Sequence, residues 1–222
     1  MALLRYTIAT TNVIIPTKAN ISGHKRAPRQ CIIKSYLVIF EGNAMDYICH
    51  YKSPLGGITL ASDGKNLVGL WFDGQKYYAD TLEKDISEKK LPIFEQTIKW
   101  LDIYFSGKVP NFTPSLFLRT TTFRKEVWEI LMTIPYGHTM TYGEISKILA
   151  KRHGLARMSA QAVGGAVGHN PIALIIPCHR VIGTNGSLTG YAGGLDKKEK
   201  LLAMENATES CKCQTKYSIL II

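Results

Sequence analysis

Apolar residues fall into two regimes along this chain, strand-like before Leu91 and helix-like after it. Tyr47 to Tyr51, Ile58 to Ala61 and Leu67 to Phe72 are short apolar runs that read as strands. Pro54-Leu55-Gly56-Gly57 and Asp63-Gly64 separate them as turns, and the second turn is expected to close a hairpin. From Leu91 to Ser106 the period changes. Ile93, Phe94, Ile98, Leu101 and Phe105 recur near every 3.6 residues, and Gly107 stands where a helix cap belongs. Lys108 to Thr120 is a Pro-containing linker. Phe123 to Ile134 predicts an amphipathic helix with Val127, Ile130, Leu131 and Ile134 inward, stopped by Pro135-Tyr136-Gly137.

Thr141-Tyr142-Gly143-Glu144 has capping-box spacing and starts a helix that runs to about Lys151. After a loop holding His153-Gly154, Ser159 caps a second helix to about Gly168. Helix, short connection and helix make a helix-turn-helix pattern, which a purely structural helical hairpin shares. The second helix is built of Ala160, Ala162, Gly164, Gly165, Ala166 and Gly168. Each glycine costs a helix about 1 kcal/mol relative to alanine. Close approach of its backbone to another surface offsets that cost. The surface is either another helix or a nucleic-acid groove, and a helix with so few long side chains cannot read major-groove base edges.

Composition narrows the partners. The chain has 222 residues and a net charge of +10, with 27 Lys and Arg against 17 Asp and Glu, which favours a polyanionic partner. Its five cysteines (31, 49, 178, 211 and 213) show neither CxxC nor zinc-type spacing, which fits a reduced compartment better than a disulfide scaffold. No apolar run approaches the roughly 18 residues of a membrane span. Residues 1–44 hold six basic residues against the single acid Glu41, without a strong helical or strand period or a signal-peptide core. They read as a basic extension outside the fold, either a targeting segment or an upstream extension of a reading frame that starts functionally at Met45. Residues 208–222 read as a tail, whose Cys211-Lys212-Cys213 is an incidental thiol pair.

The apolar run Ile172 to Ile176 leads into Pro177-Cys178-His179-Arg180. A thiol at the end of a strand is often only a core residue. The thiolate is the nucleophile, however, and an adjacent imidazole is a base that can raise its fraction. Around this pair lie the small-residue helix ending His169-Asn170-Pro171 and the segment Gly190-Tyr191-Ala192-Gly193-Gly194. In these motifs, over about Met45 to Ala207, the chain resembles the O6-alkylguanine-DNA alkyltransferases (methylated-DNA–protein-cysteine methyltransferases). Their signature is Pro-Cys-His-Arg, with an Asn-Pro before it and a Tyr-x-Gly-Gly loop after it.

The resemblance implies an α/β (α+β) fold. A small mixed α/β scaffold domain (residues 45–118) precedes a mainly helical domain (residues 119–207) with a DNA-binding helix-turn-helix. It implies direct-reversal repair: the alkyl group on O6 of guanine passes to the cysteine sulfur in a single-turnover displacement, without metal or cofactor. The partner is double-stranded DNA containing O6-alkylguanine, bound through its minor groove by a monomer that needs no membrane. The setting is the cytoplasm, or the nucleus in a eukaryote. Cys178 is then the nucleophile and His179 the base, acting through a water molecule, with Glu205 orienting it. Tyr142 donates toward N3 of the leaving guanine and helps turn the nucleotide's phosphate. Ala160, Gln161, Ala162 and Gly164 face DNA, Asn170 links the DNA-binding helix to the active-site strand, and Tyr191 and Ala192 close over the base. Arg180 is expected in a structural ion pair.

Two positions depart from the family pattern. Ala192 is often serine, so here only the backbone amide remains to bond O6. Gln161 stands where an arginine commonly enters the base stack, and it brings no charge. A non-catalytic module that binds alkylated DNA is the alternative reading, which the presence of Cys178 disfavours. A cysteine hydrolase lacks an evident oxyanion-hole motif here.

Overall fold

The structure is a computed structural model that describes the backbone of Thr7–Val13 and Ile33–Ile39 together with residues 45–206. The cysteines at 31, 211 and 213, and the tail beyond Asn206, lie outside the described residues. Met1–Ala44 and Met45–Ile222 form two compact units.

In the first unit, β1 (Thr7–Val13) and β2 (Ile33–Ile39) pair antiparallel, Thr7 opposite Ile39 and Val13 opposite Ile33. This corrects the reading of residues 1–44 as a stretch without strand period. β-branched Thr, Ile and Val dominate β1, and Ile33, Tyr36, Val38 and Ile39 supply strand-favouring side chains in β2, which suit extended backbone even without clean alternation.

The second unit begins with a four-stranded sheet in the order β5-β4-β3-β6. β3 (Met45–Ser53) and β4 (Gly56–Ser62) form a tight hairpin across Pro54-Leu55. β5 (Leu67–Phe72) returns antiparallel to β4 after Asp63-Gly64, as the turn signal predicts. Asp63 Oδ1 accepts from the Lys65 and Asn66 amides at 2.8 and 2.7 Å, which fixes that turn. The fourth strand, β6 (Asp85–Glu88), runs parallel to β3 and was not foreseen. Its sequence, Asp-Ile-Ser-Glu, is exposed throughout, so burial imposes no hydrophobic pattern on it.

β5 is covered on its free edge by later parts of the chain. Leu67 exchanges backbone hydrogen bonds with Ser115 and Phe117 at 2.8 and 3.0 Å. Leu70 donates to the Pro171 carbonyl at 2.8 Å and accepts from the Ala173 amide at 2.9 Å. The sheet therefore holds the stretch that leads into Cys178.

Among the described residues five α-helices follow: α1 (Pro92–Phe105), α2 (Thr122–Leu131), α3 (Tyr142–Arg152), α4 (Ala160–Gly168) and α5 (Leu195–Asn206). Leu91 and Ser106 prove to be the caps of α1, and Gly107 adopts the positive φ of 78° expected after a helix end. α2 ends at Leu131, three residues earlier than its apolar pattern suggested. Ile134 is still buried, but it precedes Pro135, and a residue before proline is driven from helical backbone. Thr141 and Glu144 form the reciprocal capping box of α3, and the Ser159 hydroxyl caps α4 by accepting from the Ala162 amide at 3.3 Å.

One apolar core runs through both halves of this unit. It joins Ile58, Leu60, Leu70 and Phe72 of the sheet to Leu101, Val127, Leu131, Leu149, Val163, Ile176 and Leu201. Trp128 ties α2 to α4 by donating its indole N–H to the Ala166 carbonyl at 2.8 Å. The mixed α/β organisation, with a sheet followed by a helical part, is thus as expected. Among the described residues no helix is long and apolar enough to cross a membrane.

Candidate active site

The apolar run Ile172 to Ile176 is not a strand. It coils into a wholly buried turn, with Leu174 at φ 67° and the Ile176 amide bonded to the Ile172 carbonyl at 3.1 Å. Cys178, His179 and Arg180 follow as one 3-10 turn, entered through Pro177, and lead to β8 (Val181–Ile182) beside β7 (Met140–Thr141). The expectation of a strand ending at the thiol is corrected here. Hydrophobicity reports burial, and a buried turn differs from a buried strand only in where its backbone bonds go.

Asn170 supplies those bonds. Its Oδ1 accepts from the Ile172 amide at 3.0 Å. Its Nδ2 lies 2.8 Å from the Ile176 carbonyl, 3.3 Å from the Ile172 carbonyl and 3.1 Å from Cys178 Sγ. The side chain joins the end of α4 to the nucleophile turn and points a donor at the sulfur.

Cys178 is 5% exposed. Burial raises its pKa, while the Asn170 donor and the nearby Lys198 ammonium oppose that rise. The thiol at rest is protonated near neutrality, so its chemistry needs a base. His179 is adjacent in sequence, completely buried, and held below its ordinary pKa by that burial. Glu205 opposes the shift.

Glu205, also completely buried, is the hub of the site. Oε1 lies 2.7 Å from His179 Nε2 and 2.7 Å from the Tyr104 hydroxyl that donates to it. Arg180 donates from Nε to Oε2 at 2.9 Å and from Nη2 to Oε1 at 3.0 Å, and the Gly137 amide donates to Oε2 at 3.2 Å. Burial pushes the carboxyl up, but the His179 and Arg180 hydrogen bonds outweigh it and bring the pKa down to about 2. An ionised carboxylate only accepts, so His179 carries its proton on Nε2 and its lone pair on Nδ1. Nδ1 is buried and has no protein partner. Arg180 also donates Nη1 to the Ile134 carbonyl at 2.7 Å, in line with the expected structural ion pair.

Two members of this cluster escaped the sequence reading. Tyr104 comes from α1, on the face of Ile93, Trp100 and Leu101. A buried tyrosine hydroxyl needs a partner, which was the available signal. Lys198 shares one face of α5 with Leu201 and Glu205, and all three are 0% exposed. Its ammonium donates to the Val181 and Thr189 carbonyls at 2.5 and 2.7 Å, and burial lowers its pKa to about 8.

Tyr142 opens α3 and donates toward the Thr189 and Gly190 carbonyls at 3.1 and 3.3 Å. A Cβ on Gly190 (φ 55°) would lie 3.2 Å from the Tyr142 hydroxyl oxygen, so glycine suits both the backbone and the contact. The Tyr191 hydroxyl is buried without a hydrogen-bond partner, and burial, then Cys178 and Glu205, hold its pKa well above the ordinary value. Tyr191 and Ala192 line a cavity of about 310 Å³ with Gly164, Gly165 and Gly168 of α4. Ala160, Gln161 and Ala162 are exposed on the same helix, while Val163, Ala166 and Val167 are its buried face. The structure thus gathers Cys178, His179, Glu205 and Asn170 in one buried cluster. Tyr142 and Tyr191 adjoin it, and Ala160, Gln161 and Ala162 sit apart on the surface. Among the described residues no group of three or more potential metal ligands occurs.

Comparison with known proteins agrees with this arrangement. Residues 47–117 match the family model of the 6-O-methylguanine DNA methyltransferase ribonuclease-like domain, and residues 122–207 match that of its DNA binding domain. A methylated-DNA--protein-cysteine methyltransferase of Mycobacterium bovis is 42% identical over 161 residues, covering 71% of this chain and 93% of the relative. One from Methanosarcina barkeri is 46% identical over 154 residues, covering 69% and 93%. The crystal structure of Mycobacterium tuberculosis OGT in complex with DNA superposes with a TM-score of 0.62 at 42% identity, covering 73% of this chain and 93% of that one.

Proposed function

Because the chain belongs to the 6-O-methylguanine DNA methyltransferase family, we propose that Cys178 takes the alkyl group from O6-alkylguanine in DNA and keeps it. Direct-reversal repair of DNA by alkyl transfer to a protein cysteine is the activity of this family. The observation that carries the assignment to Cys178 is the buried chain Glu205–His179, with its free lone pair on Nδ1, next to a thiol held by Asn170.

In this reading His179 Nδ1 takes the Cys178 proton through one bridging water. Glu205 steadies the imidazolium that forms, and Arg180 and Tyr104 hold Glu205. The thiolate attacks the sp3 carbon in line, a C–S bond forms, the C–O6 bond breaks, and its electron pair leaves on guanine. Tyr142 donates toward N3 to offset that charge. The thioether is stable, so the protein acts once. The O6 carbon cannot be reached inside the duplex, so the nucleotide is flipped into the cavity beside Tyr191 and Ala192. α3 and α4 act as a helix-turn-helix, with the exposed Ala160, Gln161 and Ala162 and the half-buried Gly164 against the minor groove. The protein works as a monomer in the compartment that holds the DNA.

The test is intact-mass analysis after incubation with duplex DNA containing O6-methylguanine. The expected result is a gain of one methylene, mapped to Cys178. Cys178→Ala is expected to abolish the gain and still bind DNA. A gain that persists in Cys178→Ala refutes the assignment.

A further inference from the structure

The scaffold half contributes to the cavity as well. Between β5 and β6 the chain carries Lys76 and Tyr77 against the α4 glycines and the 190–192 segment, and both residues line the cavity. Tyr77 stacks on His169, at the end of α4, with ring centroids 3.9 Å apart and planes 23° apart. The Lys76 amide donates to the Ala192 carbonyl at 3.0 Å, and its ammonium stands 4.8 Å from the Tyr77 ring centroid.

This loop is held in an unfavourable shape. Tyr77 and Ala79 have φ of 60° and 57°, a region that side chains larger than glycine avoid at about 1–2 kcal/mol each. Such backbone persists where its surroundings over-determine it, and it concentrates at ligand clamps. The surroundings are visible. Thr59 Oγ1 donates to Asp73 at 2.9 Å and lies 2.8 Å from the Tyr78 hydroxyl, while Gln75 Oε1 accepts from the Phe72 amide at 3.0 Å. The loop is pinned to the sheet and aimed at the cavity.

Lys76 is exposed and makes no ion pair among the described residues. Its charge therefore stands at the rim of the cavity over the Tyr77 ring, without a carboxylate to neutralise it among the described residues. Gln161, on the DNA-facing side of α4, is uncharged.

We propose that Lys76, carried by the Tyr77–His169 stack, binds a DNA backbone phosphate beside the flipped nucleotide, so that the scaffold half is part of the DNA interface. The inference rests on the alkyltransferase reading above. It supplies the phosphate attraction that Gln161 does not provide.

The test measures affinity of the full chain for duplex DNA containing O6-methylguanine across salt concentrations, for wild type, Lys76→Gln and Lys76→Arg. One phosphate contact contributes about 0.9 to the log–log salt slope, a factor of about 3.5 in affinity between 50 and 200 mM. Lys76→Gln is expected to lower the slope by about that amount and Lys76→Arg to restore it. Lys99→Gln on α1, which does not line the cavity, is expected to leave the slope as in wild type. Transfer rates at sub-saturating substrate give a second reading. The ratio of the duplex rate to the free O6-benzylguanine rate is expected to fall about threefold in Lys76→Gln. A wild-type slope in Lys76→Gln, or an equal fall on both substrates, overturns the proposal. Absence of transfer in the wild-type protein from either substrate instead overturns the alkyltransferase reading.

Discussion

Replacing Asn170 by alanine tests whether one amide organises the nucleophile. The side chain offers one acceptor and two N–H groups. The acceptor serves the Ile172 amide at 3.0 Å, and the two N–H groups serve three acceptors within reach. The Ile176 carbonyl, at 2.8 Å, takes one, and the sulfur and the Ile172 carbonyl share the other. In Asn170→Ala the Ile172 carbonyl keeps its bond from the Ile176 amide, and the Ile176 carbonyl keeps its bond from the Cys178 amide at 2.8 Å. The buried Ile172 amide alone is left without a partner, at about 1–3 kcal/mol. The central estimate is about 2 kcal/mol, and a chain of this size loses about 2–4 °C per kcal/mol, so the melting temperature should fall by about 4–8 °C. The sulfur loses a hydrogen bond of the kind that stabilises a charged group by about 1.5–3 kcal/mol, so the thiolate fraction at fixed pH should fall at least about tenfold. Thermal unfolding and the rate of Cys178 alkylation by iodoacetamide measure the two effects. Asn170→Asp separates them, because it can still accept from Ile172 but has no N–H for the sulfur. Melting lowered by under about 2 °C with unchanged thiol reactivity refutes the reasoning. Full reactivity in Asn170→Asp refutes the donor role.

Tyr104→Phe removes a donor from Glu205 Oε1, leaving a more basic carboxylate against His179. Burial holds the His179 pKa below about 6.5, so the base stays neutral and the acid limb of the transfer rate lies below that pH in wild type. Tyr104→Phe should move the limb upward, whereas a purely structural loss lowers the rate equally at every pH. The same depressed pKa means that His179 contributes stability above about pH 6.5, lost as pH falls through its folded value, which melting against pH records. Lys198→Met should slow Cys178 alkylation at pH 7, because it removes the cation whose field reaches the sulfur; an unchanged rate counts against that coupling. Gln161→Arg should steepen the salt dependence of duplex binding by about one phosphate contact, read by titration, and an unaltered slope would place residue 161 away from DNA.

Much of this was legible in the residues. Thr141 and Glu144 announced a capping box and Asp63-Gly64 a hairpin. These signals are local, and local geometry decides them. What escaped depends on distant partners. β6 exists because β3 offers an edge, not because Asp85–Glu88 prefers extended backbone. Tyr104 belongs to the site only because its hydroxyl reaches Glu205 on α5, and within Pro92–Phe105 the tyrosine on the buried face says that a partner is needed but not which one. The run from Ile172 was read as a strand because its hydrophobicity is real, yet its backbone bonds go to Asn170 and to itself.

The backbone bonds between Leu70 and the Pro171–Ala173 stretch close a loop of roughly 100 residues, and such closure is entropically unfavourable until many other contacts support it. Contacts this distant along the chain slow folding. The turn that holds Cys178 is therefore expected to gain its partners late in folding, and a chain in which the Leu70 bonds to Pro171 and Ala173 have not yet formed carries an ordinary cysteine in place of a primed one. A protein that spends itself in a single reaction gains from that order of events, because its thiol acquires its partners only once the surface that selects the lesion has formed.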